Sequence, residues 1–163
     1  MAKYSVTNST LGGTGVQQAL ATTYKTLCAV YASTTGTTSL VRRGKIYDLL
    51  IGTNGTPADN FVEWSVGALT APSTSSLVVA NSLDQADAVA ASGTIANSTT
   101  EGTFTSSGER FYVGVNQRAS YRWVAAPGSE IVWPATSSAG FGLRARSAAY
   151  TGTATGQMLF EEQ

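Results

Sequence analysis

Residues 111–115 (FYVGV) and 140–146 (GFGLRAR) alternate with a period of two. Phe111, Val113 and Val115 share one side of the first run, and Gly114 faces the other. In the second run Phe141, Leu143 and Ala145 share one side, opposite Gly142, Arg144 and Arg146. Successive side chains of an extended chain point to opposite faces, so this spacing predicts half-buried strands. Residues 61–69 repeat the pattern, with Val62, Trp64 and Val66 against Phe61, Glu63 and Ser65. Trp123 and Trp133 fall between the first two runs, and Pro127-Gly128 punctuates them as a turn. The stretch 111–146 is therefore the expected heart of a β core.

The rest of the chain reads the same way. Further strands are expected over 21–31, 40–51 (bent or bulged at Gly44), 77–80, 93–96, 100–105 and 157–161, with a turn at Asn54-Gly55 and Pro57. Only residues 82–91 (SLDQADAVAA) suit a helix, with Ser82 as cap and Gln85 three residues on. Residues 1–20 are polar and broken by Gly12-Gly13-Thr14-Gly15, which predicts a flexible, extended N-terminal arm. A phosphate loop does not fit there, because no Lys-Ser or Lys-Thr follows. Residues 21–163 form one domain, expected to be an all-β sandwich of jelly-roll type. An immunoglobulin-like sandwich is second, weakened by the lack of a cysteine pair.

Composition narrows the function. Ten basic residues balance ten acidic ones, and charged residues are only 12% of the chain. A nucleic-acid binder needs a basic excess, so none is expected as partner. Low charge with no net charge protects poorly against self-association and points to a permanently assembled state. The chain has no histidine, which removes Ser-His-Asp and Cys-His catalysis and the common zinc sites. The single cysteine, Cys28, reads as a small buried apolar residue. Asp84 and Asp87 read as solvated charges. Glu63, Glu101, Glu109 and Glu130 do not pair in sequence as a glycosidase would require. No enzyme activity, metal or cofactor is expected. No apolar run is long enough for a membrane helix, and Met1-Ala2-Lys3-Tyr4 opens with no secretory h-region, so no membrane partner is expected either.

The arginines are the most informative polar residues. Arg118, Arg122, Arg144 and Arg146 lie in or beside core strands, and Arg42-Arg43 on another, with Tyr121, Trp123 and Tyr150 nearby. They are either ordinary outward charges on sheet faces or an Arg/aromatic contact surface, the mixture favoured at interfaces. The arm adds Tyr4 and Leu11 among a few apolar residues spaced too irregularly for an amphipathic helix, a kind of segment that becomes ordered by laying those side chains on a neighbour, often as an added strand. The candidate interface is thus Tyr4, Leu11, Arg42, Arg43, Arg118, Tyr121, Arg122, Arg144 and Arg146.

The Thr/Gly-rich arm, the run RRGKIYD at 42–48, the turn GTNGTPAD at 52–59 and NQRASYRW at 116–123 leading to PGSE at 127–130 carry a resemblance. The chain resembles small structural proteins of tailed-bacteriophage virions, and specifically the β-sandwich head decoration, or cement, proteins. The resemblance implies a homotrimer on the outer capsid surface of the virion, made in the bacterial host cytoplasm. Such a protein clamps neighbouring major capsid proteins and carries no catalytic motif. The alternative expectation is a receptor- or carbohydrate-binding β-sandwich module of a tail or fibre.

Overall fold

The computed structural model describes residues 1–9, 17–33, 41–73 and 76–163. Among the described residues thirteen strands occur in chain order: β1 (Lys3–Thr7), β2 (Gln18–Ala19), β3 (Lys25–Tyr31), β4 (Gly44–Asn54), β5 (Phe61–Ala71), β6 (Ser76–Leu77) and β7 (Asn81–Ser82), then β8 (Gly93–Ala96), β9 (Thr103–Asn116), β10 (Tyr121–Val124), β11 (Ile131–Trp133), β12 (Gly140–Arg146) and β13 (Thr153–Glu162). They form two antiparallel sheets. Sheet I has the order β10-β4-β13-β1-β7, with β11 also on β4 and β2 also on β13. Sheet II has the order β6-β8-β3-β12-β5-β9. The two pack face to face as the expected β-sandwich, and no helix occurs among the described residues.

Period-two alternation builds the core. Val62, Trp64 and Val66 of β5 and Phe141, Leu143 and Ala145 of β12 turn inward together and are buried. From sheet I they meet Ile46, Leu49 and Ile51 of β4 and Met158 and Phe160 of β13. Trp133 stands edge-on to Phe160 with ring centroids 5.7 Å apart. Phe111, Val113 and Val115 face this core but stay half-buried, because β9 is the last strand of sheet II.

Several expectations are corrected. The arm does not begin at residue 1. Lys3–Thr7 pairs with β13 from Lys3↔Glu161 to Thr7↔Gln157 and places Tyr4 and Val6 in the core. Gln18–Ala19 then rejoins the same strand. Residues 10–16, including Leu11, lie outside the described residues. Gly44 is not the bulge. It sits opposite Trp133 in the β4–β11 pair, where a Cβ would overlap the indole, and the register shift instead skips Tyr47. The segment at 82–91 is a turn, not a helix: the Asp84 carboxylate accepts from the Ala86 N–H at 3.0 Å and its carbonyl from the Asp87 N–H at 3.0 Å. The two runs expected at 100–105 and 111–115 join as the single strand β9, whose pairing with β5 shifts register three times between Val66 and Ala71.

Candidate functional site

Inward side chains of β12 leave Arg144 and Arg146 on the outer face of sheet II. Cross-strand register places Arg144 beside Ser65 of β5 and Thr26 of β3, and Arg146 beside Glu63. The Arg144 guanidinium lies between two rings, 4.2 Å from the Phe104 centroid and 4.8 Å from that of Tyr24. Arg146 stands 4.8 Å from the Tyr24 centroid. The order Phe104, Arg144, Tyr24, Arg146 is a stack of alternating ring and cation, each contact worth about 0.5–2 kcal/mol according to its desolvation.

Acids fix the stack from the side. Arg144 donates to Glu109 at 2.8 Å and to the Ser65 hydroxyl at 3.2 Å. Arg146 donates to one oxygen of Glu63 through Nε at 2.8 Å and lies 2.7 Å from it through Nη2. Glu101 closes the row, accepting from the N–H and hydroxyl of Thr26. Burial pushes the Tyr24 hydroxyl above its ordinary value, and Glu63 pushes it further, against Arg146. The hydrogen bond to Glu63 raises Arg146 in turn. Sequence makes room for this. A Cβ on Gly67 would lie 2.6 Å from the Arg144 guanidinium, and one on Gly142 would lie 2.9 Å from the Phe104 ring.

Beside the stack the face is open. Phe61 is 55% exposed and Tyr112 58% exposed. Gly114 lies between them on β9, opposite Glu63, and the Phe61 ring covers the place of its missing Cβ. The rings of Phe61 and Tyr112 therefore border the ordered Glu63–Arg146 pair.

The other candidate interface residues do not converge here. Arg122 of β10 is on the outer face of sheet I, the opposite side of the sandwich, where it grips buried Asp48 of β4 through Nε at 3.1 Å and Nη2 at 2.5 Å. That pair raises the Arg122 pKa, chiefly by hydrogen bonding. On the same face Lys45 lies 3.2 Å from Glu161 and 3.5 Å from Glu130. Arg118 is in the turn after β9, 3.3 Å from Asp59. Arg42 and Arg43 are exposed ahead of β4. Tyr121 closes the edge between the sheets, with Phe111 6.1 Å away and Trp123 packing on Phe111 at 5.8 Å. Tyr4 is a core residue, 3% exposed, which leaves no surface for a partner. Sequence reasoning missed Phe61, Tyr24, Phe104 and Tyr112. The signal for Phe61 and Tyr112 was their place on the outward side of alternating runs.

A shallow groove of about 300 Å³ crosses the outer face of sheet I, lined by Thr7, Leu50, Gly52, Ser120, Thr155 and Gln157 among others. Among the described residues no group of three His, Cys, Asp or Glu side chains is placed to hold a metal ion. Comparison with protein-family models, with curated proteins and with solved structures found no match to this chain.

Proposed function

We propose that the chain is a non-enzymatic structural protein of a tailed-phage particle that binds the major capsid protein lattice as an oligomer, and that the outer face of sheet II is its docking surface. One observation carries the docking reading: two aromatic side chains more than half exposed, Phe61 and Tyr112, stand beside an Arg–Tyr–Glu array already held in place by the fold. Rigid aromatic and arginine groups give contact energy without a large ordering cost on binding. The zero net charge and low charged fraction support permanent assembly over a free monomer. The resemblance in sequence supports the virion setting, the trimer and the outer capsid surface. The test is quantitative mass spectrometry of purified particles together with decoration by a Phe61→Ser/Tyr112→Ser double variant. Several hundred copies per particle, and loss of decoration with an unchanged circular-dichroism spectrum, are expected. A few copies per particle, or undiminished decoration, overturns the reading.

A second reading is favoured by the same rings. Phe61 and Tyr112 next to the polar Glu63–Arg146 pair make an aromatic platform with a hydrogen-bonding rim, the arrangement a carbohydrate-binding module uses. A signal on a glycan array that the double variant abolishes would select it.

A further inference from the structure

We propose that Asn54 is a site of self-modification, at which the backbone nitrogen of Gly55 attacks the Asn54 side chain and converts the β4–β5 turn to aspartate and isoaspartate. Asn54 is the last residue of β4, and the four residues from Asn54 to Pro57 are all exposed. The ends of this stretch are pinned. The Thr53 hydroxyl donates to the Gln117 carbonyl at 2.6 Å, and the Ala58 N–H donates to the Gln117 side-chain oxygen at 2.9 Å. Gln117 is itself buried and donates to the Tyr150 hydroxyl at 2.9 Å. The turn is thus anchored on both sides of an open segment.

The residue after the asparagine decides how easily its nitrogen reaches the side-chain carbonyl, because a side chain there shields the nitrogen. Here the fold requires glycine. Gly55 has φ 142°, a region that L side chains rarely enter. A Cβ there would also lie 2.5 Å from the Tyr150 hydroxyl, which Gln117 holds in place. The geometry that braces the turn therefore also fixes the residue that leaves the attacking nitrogen bare. Asn54 is the only asparagine in the chain followed by glycine. Others are held: the Asn8 amide donates to Asn97 at 3.1 Å and to the Ala154 carbonyl at 2.9 Å, and the Asn116 side-chain oxygen accepts from the Arg118 N–H at 2.9 Å.

The atoms balance without an oxidant or reductant. The Gly55 nitrogen gives up its proton and bonds to Cγ of Asn54, the Cγ–Nδ2 bond breaks, and ammonia carries the proton away. Water then opens the five-membered imide at either carbonyl, giving aspartate or isoaspartate. Each product adds one negative charge to a chain of formal net charge zero. The isoaspartate product also lengthens the main chain by one methylene at the residue that pairs with Thr153 and accepts its hydroxyl at 3.3 Å, so it loosens the last rung between β4 and β13.

The test is to hold the purified full chain in warm, mildly alkaline buffer and follow it by anion exchange and peptide mapping. A free peptide of sequence Thr-Asn-Gly-Thr serves as reference. An acidic form should accumulate, with amide loss confined to the fragment containing Asn54 and both products present. An Asn54→Gln variant should stay a single species over the same period, and if it fails to fold the wild-type map alone still decides. Retention of the Asn54 amide while the free peptide converts, or loss mapped to another asparagine, overturns the proposal.

Discussion

Tyr4 decides whether the N-terminal strand belongs to the domain. Its ring is 3% exposed and stacks on Phe160 with centroids 5.5 Å apart and planes at 29°. Its hydroxyl donates to the Ala88 carbonyl at 3.0 Å, tying β1 to the loop after β7. Tyr4→Phe removes only that hydrogen bond and should cost about 1 kcal/mol. Tyr4→Ala also removes a buried ring and its stack and leaves a cavity against Phe160, for a total of about 4 kcal/mol. At roughly 3 °C per kcal/mol for a domain of this size, the melting temperature should fall by about 3 °C and about 12 °C respectively. Thermal melts followed by circular dichroism measure both. A chain starting at Ala21 should lose cooperative unfolding, because it lacks Tyr4, Val6 and the strands that cover one edge of β13. If Tyr4→Ala lies within about 1 kcal/mol of the parent, β1 is peripheral and this reasoning fails.

Arg144→Ala should cost about 2–3 kcal/mol in urea denaturation: it empties the slot between Phe104 and Tyr24, while the Glu109 it abandons is 43% exposed and can rehydrate. Tyr4, Tyr24, Tyr31 and Tyr47 all have hydroxyls raised above the ordinary value of 10.0, chiefly by burial. The stability they contribute is complete below that value and is lost as pH rises through the folded one, so alkaline unfolding should coincide with their ultraviolet titration, and ionisation of these four in an intact fold would contradict it. The proposed binding of particles through sheet II should weaken only a few-fold between low and high salt, since Arg144 and Arg146 are already paired within the chain; a fall of tenfold or more would mean they leave those pairs for an acidic partner.

Strand faces were legible because alternation is local. Val62, Trp64, Val66, Phe141 and Leu143 are buried on the side the sequence assigned to them. β1 was not legible for the opposite reason. KYSVT offers only two inward residues, and its partner strand lies at the far end of the chain, so nothing local separates it from a tail. The segment at 82–91 has helix-forming alanines but no apolar stripe, and one tertiary contact and one local turn win: Tyr4 donates to the Ala88 carbonyl, and the Asp84 carboxylate accepts from the Ala86 N–H two residues on. At β9, glycine and serine broke the pattern into two runs. The structure absorbs the break with Gly108, where a Cβ would meet Thr105 and Ala68, and with Ser107 at φ 59°.

The arginines show how far alternation carries a functional reading and where sheet order takes over. Alternation put Arg144 and Arg146 outward on β12, and that much holds. Arg122 alternates outward on β10 just as clearly, yet β10 pairs with β4 in the other sheet, so the same local rule sends it to the opposite side of the molecule. Each of Arg118, Arg122, Arg144 and Arg146 meets an acid of its own chain. In a chain with so few charges this spends the guanidinium groups on internal order. What they order, on sheet II, is the ground beside Phe61 and Tyr112. On the docking face proposed above, the arginines would serve as the frame, and the rings would supply the contact area that a partner covers.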